Sequence, residues 1–240
     1  MKPLVHSLSQ TALNAIFPPR CAACNAWLEN EELWCVACEK SLKILSHPLC
    51  SQCGIPIESG ERCADCRKVP PHFESLRALW MFEHRTQEAI HRLKYEGQTS
   101  VAAPLGKQLA ALLGKEPFPP QMILVPVPLH PWRKWRRGFN QSELLAREVC
   151  KVRSISTVLA TNILRRARWT SPQVELHEQE REANVAGAFV ADAALMKRLP
   201  AWPIVLIDDV ATTGGTLSQC ALALKKAGAT EVFAATLARR

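Results

Sequence analysis

The sequence has no apolar run near the ~18 residues a membrane span requires, so no spanning helix is expected. Residues 1–20 are of mixed character, end at Pro18-Pro19-Arg20, and lack the apolar centre and cleavage pattern of a secretory signal. The expected compartment is therefore the cytoplasm. There is also no Gly-x4-Gly-Lys-Ser/Thr segment, which excludes a P-loop. Gly106-Lys107 and Gly114-Lys115 lack the hydroxyl residue that would hold the metal in such a loop. What remains is a chain of 240 residues, 48% apolar, long enough for one α/β domain with a small appendage.

Charge is unevenly placed. Residues 1–72 hold seven basic and seven acidic side chains, and residues 73–240 hold 23 and 15, so the whole surplus of +8 lies in the second part. That balance suits anionic ligands such as polyphosphates or nucleic acid.

Eight of the ten cysteines form four Cys-x2-Cys pairs: Cys21 and Cys24, Cys35 and Cys38, Cys50 and Cys53, Cys63 and Cys66. In a cytoplasmic chain such pairs point to metal before disulfides. Two thiolates on one tight turn grip a tetrahedral ion, and a second pair closes the site. The spacing suits two successive zinc knuckles, with an interleaved pairing and redox disulfides as the alternatives. Two closed four-thiolate sites would be structural, and would lower the net charge from +8 to about +4. A module this short builds no sufficient core of its own, and its expected work is docking a partner or nucleic acid, or covering a site. Cys150 and Cys220 fall on helix-like apolar stripes and are expected in the core. His47 and His72 flank the module and are not needed as ligands.

The chemistry is concentrated at Ile204-Val205-Leu206-Ile207-Asp208-Asp209-Val210-Ala211-Thr212-Thr213-Gly214-Gly215-Thr216. A continuous apolar run reads as a strand covered on both faces. The two acids then stand where the strand leaves the sheet, at the carboxyl edge where open α/β sheets bind ligands. The loop 212–216, followed by a helix over 217–227, can aim backbone N–H groups and a positive helix end at a phosphate. Two nearby carboxylates suit sugar hydroxyls or a hydrated Mg²⁺. A phosphate cup beside paired acids describes a site for a ribose 5-phosphate. The thirteen residues resemble, without a gap, the phosphoribosyl diphosphate (PRPP) motif of type I phosphoribosyltransferases. Asp208 and Asp209 are thus the candidate catalytic residues. Ala211, Thr212, Thr213, Gly214, Gly215 and Thr216 are the candidate phosphate binders.

Around this stretch the sequence predicts a strand over 75–82, helices over 86–95 and 101–113, and a buried strand from Met122 that its prolines stop near Val125. Residues 133–137 read as a basic loop, four of the five being Arg or Lys. Arg136, Arg137 and Gly138 could hold a pyrophosphate there. The same loop could grip single-stranded DNA, with Trp132 and Trp135 stacking on bases. Asn140 and Glu143 have N-cap and N3 spacing for a helix to Cys150. A strand is expected over 158–164, a helix near 178–188 and the last strand over 231–237. The polar stretch 165–184 is long for a connection and reads as a lid. Arg168, Thr170, Gln173, Arg181 and Asn184 are its candidate residues.

The order of segments resembles the ComF family, which includes ComFC and GntX proteins. The matching pieces are the paired Cys-x2-Cys module, Leu93-Lys94-Tyr95 with Gly97, Val125-Pro126-Val127-Pro128-Leu129, and Arg137-Gly138-Phe139-Asn140-Gln141. Thr170, Gln173, Arg181, Asn184 and Phe189 continue the match, and the PRPP motif closes it. The resemblance implies a type I phosphoribosyltransferase-like, mostly parallel α/β sheet with flanking helices, preceded by a four-cysteine-type zinc-binding module. The expected division is a helical segment at 1–20, a zinc module at 21–70 and the transferase-like domain at 73–240. It also implies PRPP with Mg²⁺ as ligand, two structural Zn²⁺, and a role in natural transformation, with single-stranded DNA or DNA-processing competence proteins as partners. GntX-like members link the family to gluconate use instead. The acceptor of a transferred ribosyl group is not implied by these residues.

Overall fold

A computed structural model of the chain describes residues 19–30, 32–95, 101–153, 156–167 and 187–240. Five strands form one sheet: β1 (Leu76–Met81), β2 (Met122–Pro126), β3 (Thr157–Leu159), β6 (Ile204–Ala211) and β7 (Val232–Arg239), in the order β1-β7-β6-β2-β3. Every pairing in it is parallel. Two further strands, β4 (Leu164–Arg166) and β5 (Phe189–Ala191), pair antiparallel as a separate ribbon.

The apolar runs of β2, β6 and β7 are covered on both faces, as their composition requires. Along β6, Val205 and Ile207 enter one core with Leu105, Leu109, Leu145 and Val149, while Ile204 and Leu206 enter a second with Leu217, Cys220 and Leu224. The first core is roofed by α3 (His84–Tyr95), α4 (Ala102–Leu112) and α6 (Gln141–Val152). The second is roofed by α8 (Gly215–Lys226). Cys220 is fully buried in this second core, and Cys150 is half-buried against the first. No helix among the described residues is long and apolar enough to cross a membrane.

The cysteine-rich segment carries two short helices, α1 (Val36–Lys40) and α2 (Ala64–Lys68), each starting beside a cysteine. Its first half docks on the first core. Trp34 meets Trp80 of β1 edge to face, with ring centroids 5.3 Å apart, and Cys21, Ala22, Ala23 and Leu33 are buried with it. Aromatic pairs in this geometry add about 0.5–1.5 kcal/mol beyond area burial.

Several boundaries differ from the sequence reading. β6 does not stop at the acids but runs through them to Ala211, because β7 pairs with it as far as Ala211↔Arg239. β2 leaves earlier, at Pro126↔Ile207, since proline supplies no ladder N–H. The acids therefore stand in a strand paired along one side only. α8 begins at Gly215, two residues before Leu217. The expected strand over 158–164 is two strands, β3 and β4, in different sheets. The basic stretch is a helix, α5 (Pro131–Arg137), and not a loop. Pro131 suits the first helical turn, and the His130 Nδ1 accepts the Trp132 N–H at 3.2 Å. A short α7 (Ala193–Met196) is capped by Asp192. The expected helix at 1–20 lies outside the described residues except for Pro19 and Arg20, as does the 178–188 helix up to residue 186.

Candidate functional site

From β2 the chain moves outward to β3, and from β6 it moves the opposite way to β7. The carboxyl ends of β2 and β6 therefore border the crevice where a doubly wound sheet takes its ligand. Asp208 and Asp209 lie on this edge. Asp209 is buried, and its Oδ2 forms an ion pair with Lys94 Nζ at the end of α3. Asp208 is half-buried; its Oδ1 accepts from Ser142 Oγ at 2.8 Å and from the Asp209 N–H at 2.9 Å. Ser142 is held there by Asn140, whose Oδ1 takes the Ser142 N–H at 3.1 Å while its Nδ2 donates to Val127 O at 3.0 Å. The N-cap read from sequence thus also ties the start of α6 to the end of β2.

The two neighbouring carboxyls hold their protons differently. Burial pushes Asp208 up to about 8, and the negative charge of Asp209 adds to this; the Ser142 hydrogen bond works against it. Burial opposes ionisation of Asp209 as well, but the Lys94 ammonium outweighs it and holds this carboxyl below the ordinary range, with Arg137 adding to the effect. At neutral pH the pair therefore carries one proton and one charge.

After Ala211 the chain turns at Gly214, whose φ of +85° favours glycine, and enters α8. The Gly215 N–H donates to Thr213 Oγ1 at 3.3 Å, and Gly214 O accepts the Ser218 N–H at 2.9 Å. Thr212, Thr213, Gly215 and Thr216 are half-buried, open enough to meet a ligand. Across the crevice, Arg137 at the end of α5 donates to Gln141 Oε1. Gly138 follows at φ +82°, with space around it. The Arg136 guanidinium lies 5.7 Å over the Trp132 ring, while Arg137 helps to hold the Asp209 carboxyl low. Of the basic candidates, Arg137 is thus the one that acts on the acids. Arg168, Thr170, Gln173, Arg181 and Asn184 lie outside the described residues.

The cysteine sulfurs fall into two groups, Cys21, Cys24, Cys35 and Cys38, and Cys50, Cys53, Cys63 and Cys66, each with all its sulfurs within 4.8 Å of one another. The pairing is therefore successive, and not interleaved. Cys24 and Cys35 sulfurs are 3.6 Å apart, as are those of Cys53 and Cys63. That matches the ~3.8 Å edge of a tetrahedron with Zn–S near 2.3 Å, and is far from the ~2.05 Å of a disulfide. None of the eight is joined in a disulfide. Burial raises Cys38 and Cys66, and neighbouring sulfurs raise them further. Cys50 is buried too, yet backbone N–H groups of Cys53, Cys63 and Gln52 bring it down to about 6. A divalent cation at each centre relieves this crowding of sulfurs. The donor sets fit two structural Zn²⁺.

Sequence reasoning did not select Lys94 or Ser142 as site residues. Lys94 was legible only as a lysine in the Leu93-Lys94-Tyr95 segment, and Ser142 gave no signal, since a serine in the first turn of a helix is commonplace.

Comparison with known proteins adds to this geometry. Residues 12–67 match the double zinc ribbon domain family. The chain is 30% identical over 210 residues to competence protein F of Haemophilus influenzae, covering 85% of this chain and 90% of that one. It is 30% identical over 203 residues to DNA utilization protein YhgH of Escherichia coli, covering 82% and 86%. Competence protein ComFC of Bacillus subtilis is 27% identical over 215 residues, covering 86% and 85%.

Proposed function

Since this chain belongs to the ComF family, we propose that it binds PRPP with Mg²⁺ at the carboxyl edge of β6 and acts in competence and the handling of imported single-stranded DNA in the cytoplasm. One observation carries the reading. Two adjacent acids on the central parallel strand lead directly into the Thr212-Thr213-Gly214-Gly215-Thr216 turn and the start of α8. Within this reading the zinc module covers 21–70 and the PRPP domain 73–240.

The 5-phosphate sits in the turn, against backbone N–H groups and the positive end of α8. Asp208 and Asp209 take the ribose hydroxyls. Asp209 accepts, being ionised, and Asp208 either donates its proton or loses it to a ligand that favours the charged form. Arg137 and the backbone at Gly138 face the pyrophosphate, with Arg136 at the outer edge of the same helix end. Mg²⁺ entering with PRPP would neutralise the pyrophosphate and be met by the Asp208–Asp209 pair, a donor set that already attracts the Lys94 ammonium. If ribosyl transfer follows, positive charge grows on the ribose C1 as pyrophosphate leaves, and the Asp209 carboxylate stabilises it electrostatically. The stretch 165–184, which from residue 168 lies outside the described residues, is proposed to close over the ribose.

Calorimetric titration of the zinc-loaded protein with PRPP and Mg²⁺ tests this directly. Saturable binding, lost in Asp209→Asn, is the expected outcome; no binding by a folded protein refutes it.

A second reading, binding of single-stranded DNA without ribosyl transfer, has its own support in α5. Trp135 is 81% exposed and Trp132 47%, an unusual display of large aromatic surface beside a run of basic residues. Exposed tryptophans interleaved with cations stack on bases and meet phosphates. The two readings are compatible, because α5 and the loop 212–216 border the same crevice.

A further inference from the structure

Of the two zinc ribbons, the first holding Cys21 to Cys38 and the second Cys50 to Cys66, the second is joined to the sheet domain through the backbone of the turn that holds its first cysteine pair. Cys50 O accepts from Arg77 Nη1 at 3.3 Å, and Ser51 O accepts from the same atom at 3.1 Å and from Ser75 Oγ at 2.7 Å. Gln52 O accepts the Leu76 N–H at 2.7 Å, and Cys53 O accepts from Arg239 Nε at 3.2 Å. This direction follows from the chemistry of the turn. Its Gln52 and Cys53 N–H groups face the Cys50 sulfur. In a planar trans peptide, N–H and C=O point opposite ways. The Ser51 and Gln52 carbonyls must then leave the metal side and meet donors on β1. Contact is close: a Cβ at Gly54 would lie 2.4 Å from Leu76 O.

Arg239 does more than dock the ribbon. It is buried, with 4% exposure, on the last residue of β7. While Nε holds Cys53 O, Nη1 donates to Ala211 O at 3.2 Å. Ala211 is the last residue of β6, directly before Thr212. The same carbonyl accepts the Arg240 N–H at 3.0 Å. The linker from the ribbon braces the other side of the loop: Phe73 lies beside Gly214, and the His72 N–H donates to Ser218 Oγ at 3.1 Å. Both ribbons bond their first turn internally, Cys21 and Ala22 N–H donating to Ala26 O and Leu33 O, and Cys50 and Ser51 N–H donating to Ile55 O and Glu61 O; the second adds the bonds to β1 and Arg239.

The geometry points to Arg239 as a positioning residue that couples the second zinc centre to the loop 212–216, so that an intact Cys50–Cys53 turn fixes the loop for its phosphate. This rests on the ribose-phosphate reading above. One rigid guanidinium spans a metal-site carbonyl and the entry to the loop, which a lysine cannot do. Coupling between sites is reciprocal, so occupancy of the loop must in turn steady the second ribbon.

Hydrogen exchange of the full-length, zinc-loaded protein, with and without PRPP and Mg²⁺, tests it. Exchange is expected to slow at 211–216 and also at 50–54, with 21–24 unchanged. Arg239→Lys is expected to keep two zinc ions, to bind PRPP about tenfold more weakly, the size of one charge-assisted hydrogen bond, and to lose the response at 50–54. Slowing at 211–216 without slowing at 50–54 overturns the coupling and leaves the ribose-phosphate site standing. An Arg239→Lys protein that binds and responds like the wild type does the same. Absence of any response at 211–216 overturns the site itself, and the coupling with it. Should the variant prove too unstable to purify, the wild-type exchange pattern decides alone.

Discussion

The proton on Asp208 makes ligand binding at the acid pair measurable without knowing any acceptor. An ordinary aspartate titrates near ~3.9, whereas burial and the adjacent Asp209 raise Asp208 to about 8. At pH 7 a group with this pKa holds about 0.9 proton, and at pH 9 about 0.1. If Asp208 is ionised when it takes a ribose hydroxyl beside Mg²⁺, binding at pH 7 must expel close to one proton. The affinity then rises up to about tenfold per pH unit towards pH 8 and flattens above it. The assay is calorimetry in two buffers of different ionisation enthalpy, at pH 7 and pH 9. The buffer-dependent heat should be large at pH 7, small at pH 9, and reduced in Asp208→Asn, which removes the protein's share and leaves that of the ligand phosphates. Tight binding with the same proton release in Asp208→Asn as in the wild type refutes the assignment. The linkage also has a sign for the free protein. Asp208 favours the folded state below its unfolded pKa, and that contribution disappears as pH rises through about 8. Asp209, held low by Lys94 against burial, contributes above the ordinary carboxylate range and loses this as pH falls through its folded value.

Metal analysis of the purified chain should give two zinc ions, and a strong chelator should unfold the ribbons, because four thiols crowded within 4.8 Å need a cation between them. A single zinc per chain in a fully folded protein contradicts the two-centre reading. Trp135→Ala should weaken single-stranded DNA binding by roughly 1–3 kcal/mol, as expected for one lost stacking platform, and leave PRPP binding unchanged; equal DNA affinity of variant and parent in a filter-binding or anisotropy titration excludes α5 as the stacking surface. Trp34→Ala removes the edge-to-face partner of Trp80 and should cost about 3–5 kcal/mol of stability in denaturant unfolding. A loss under 1 kcal/mol would mean that the first ribbon is not fixed on the sheet.

Much of this protein was legible in one dimension, for a physical reason. A strand buried on both faces must be continuously apolar, and a tetrahedral metal needs thiols in closely spaced pairs. The β6 run, its acids, the glycine turn and the four cysteine pairs are all local in sequence and could be read directly. The choice between successive and interleaved cysteine pairs was not local, because spacing allows both, and only the meeting of sulfurs in space separates them. The extent of β6 depended on its neighbours: β7 continues beside the acids, and the prolines of β2 withdraw. The basic stretch looked like a loop because charge hides helical periodicity, yet Pro131 and His130 start a helix there. The unequal protonation of Asp208 and Asp209 came only with tertiary structure. Two identical side chains, adjacent in the chain and both subject to burial, differ because the Lys94 ammonium arrives from α3 at Asp209, whereas burial and the charge of Asp209 prevail at Asp208 over the hydrogen bond that Ser142 brings from α6. Arg239 is the same lesson at longer range. The sequence shows an arginine ending an apolar strand; the fold places its guanidinium between a carbonyl 186 residues away and one 28 residues away. Side-chain type is set by the chain alone, but the partners that fix a charge or a proton are chosen by packing.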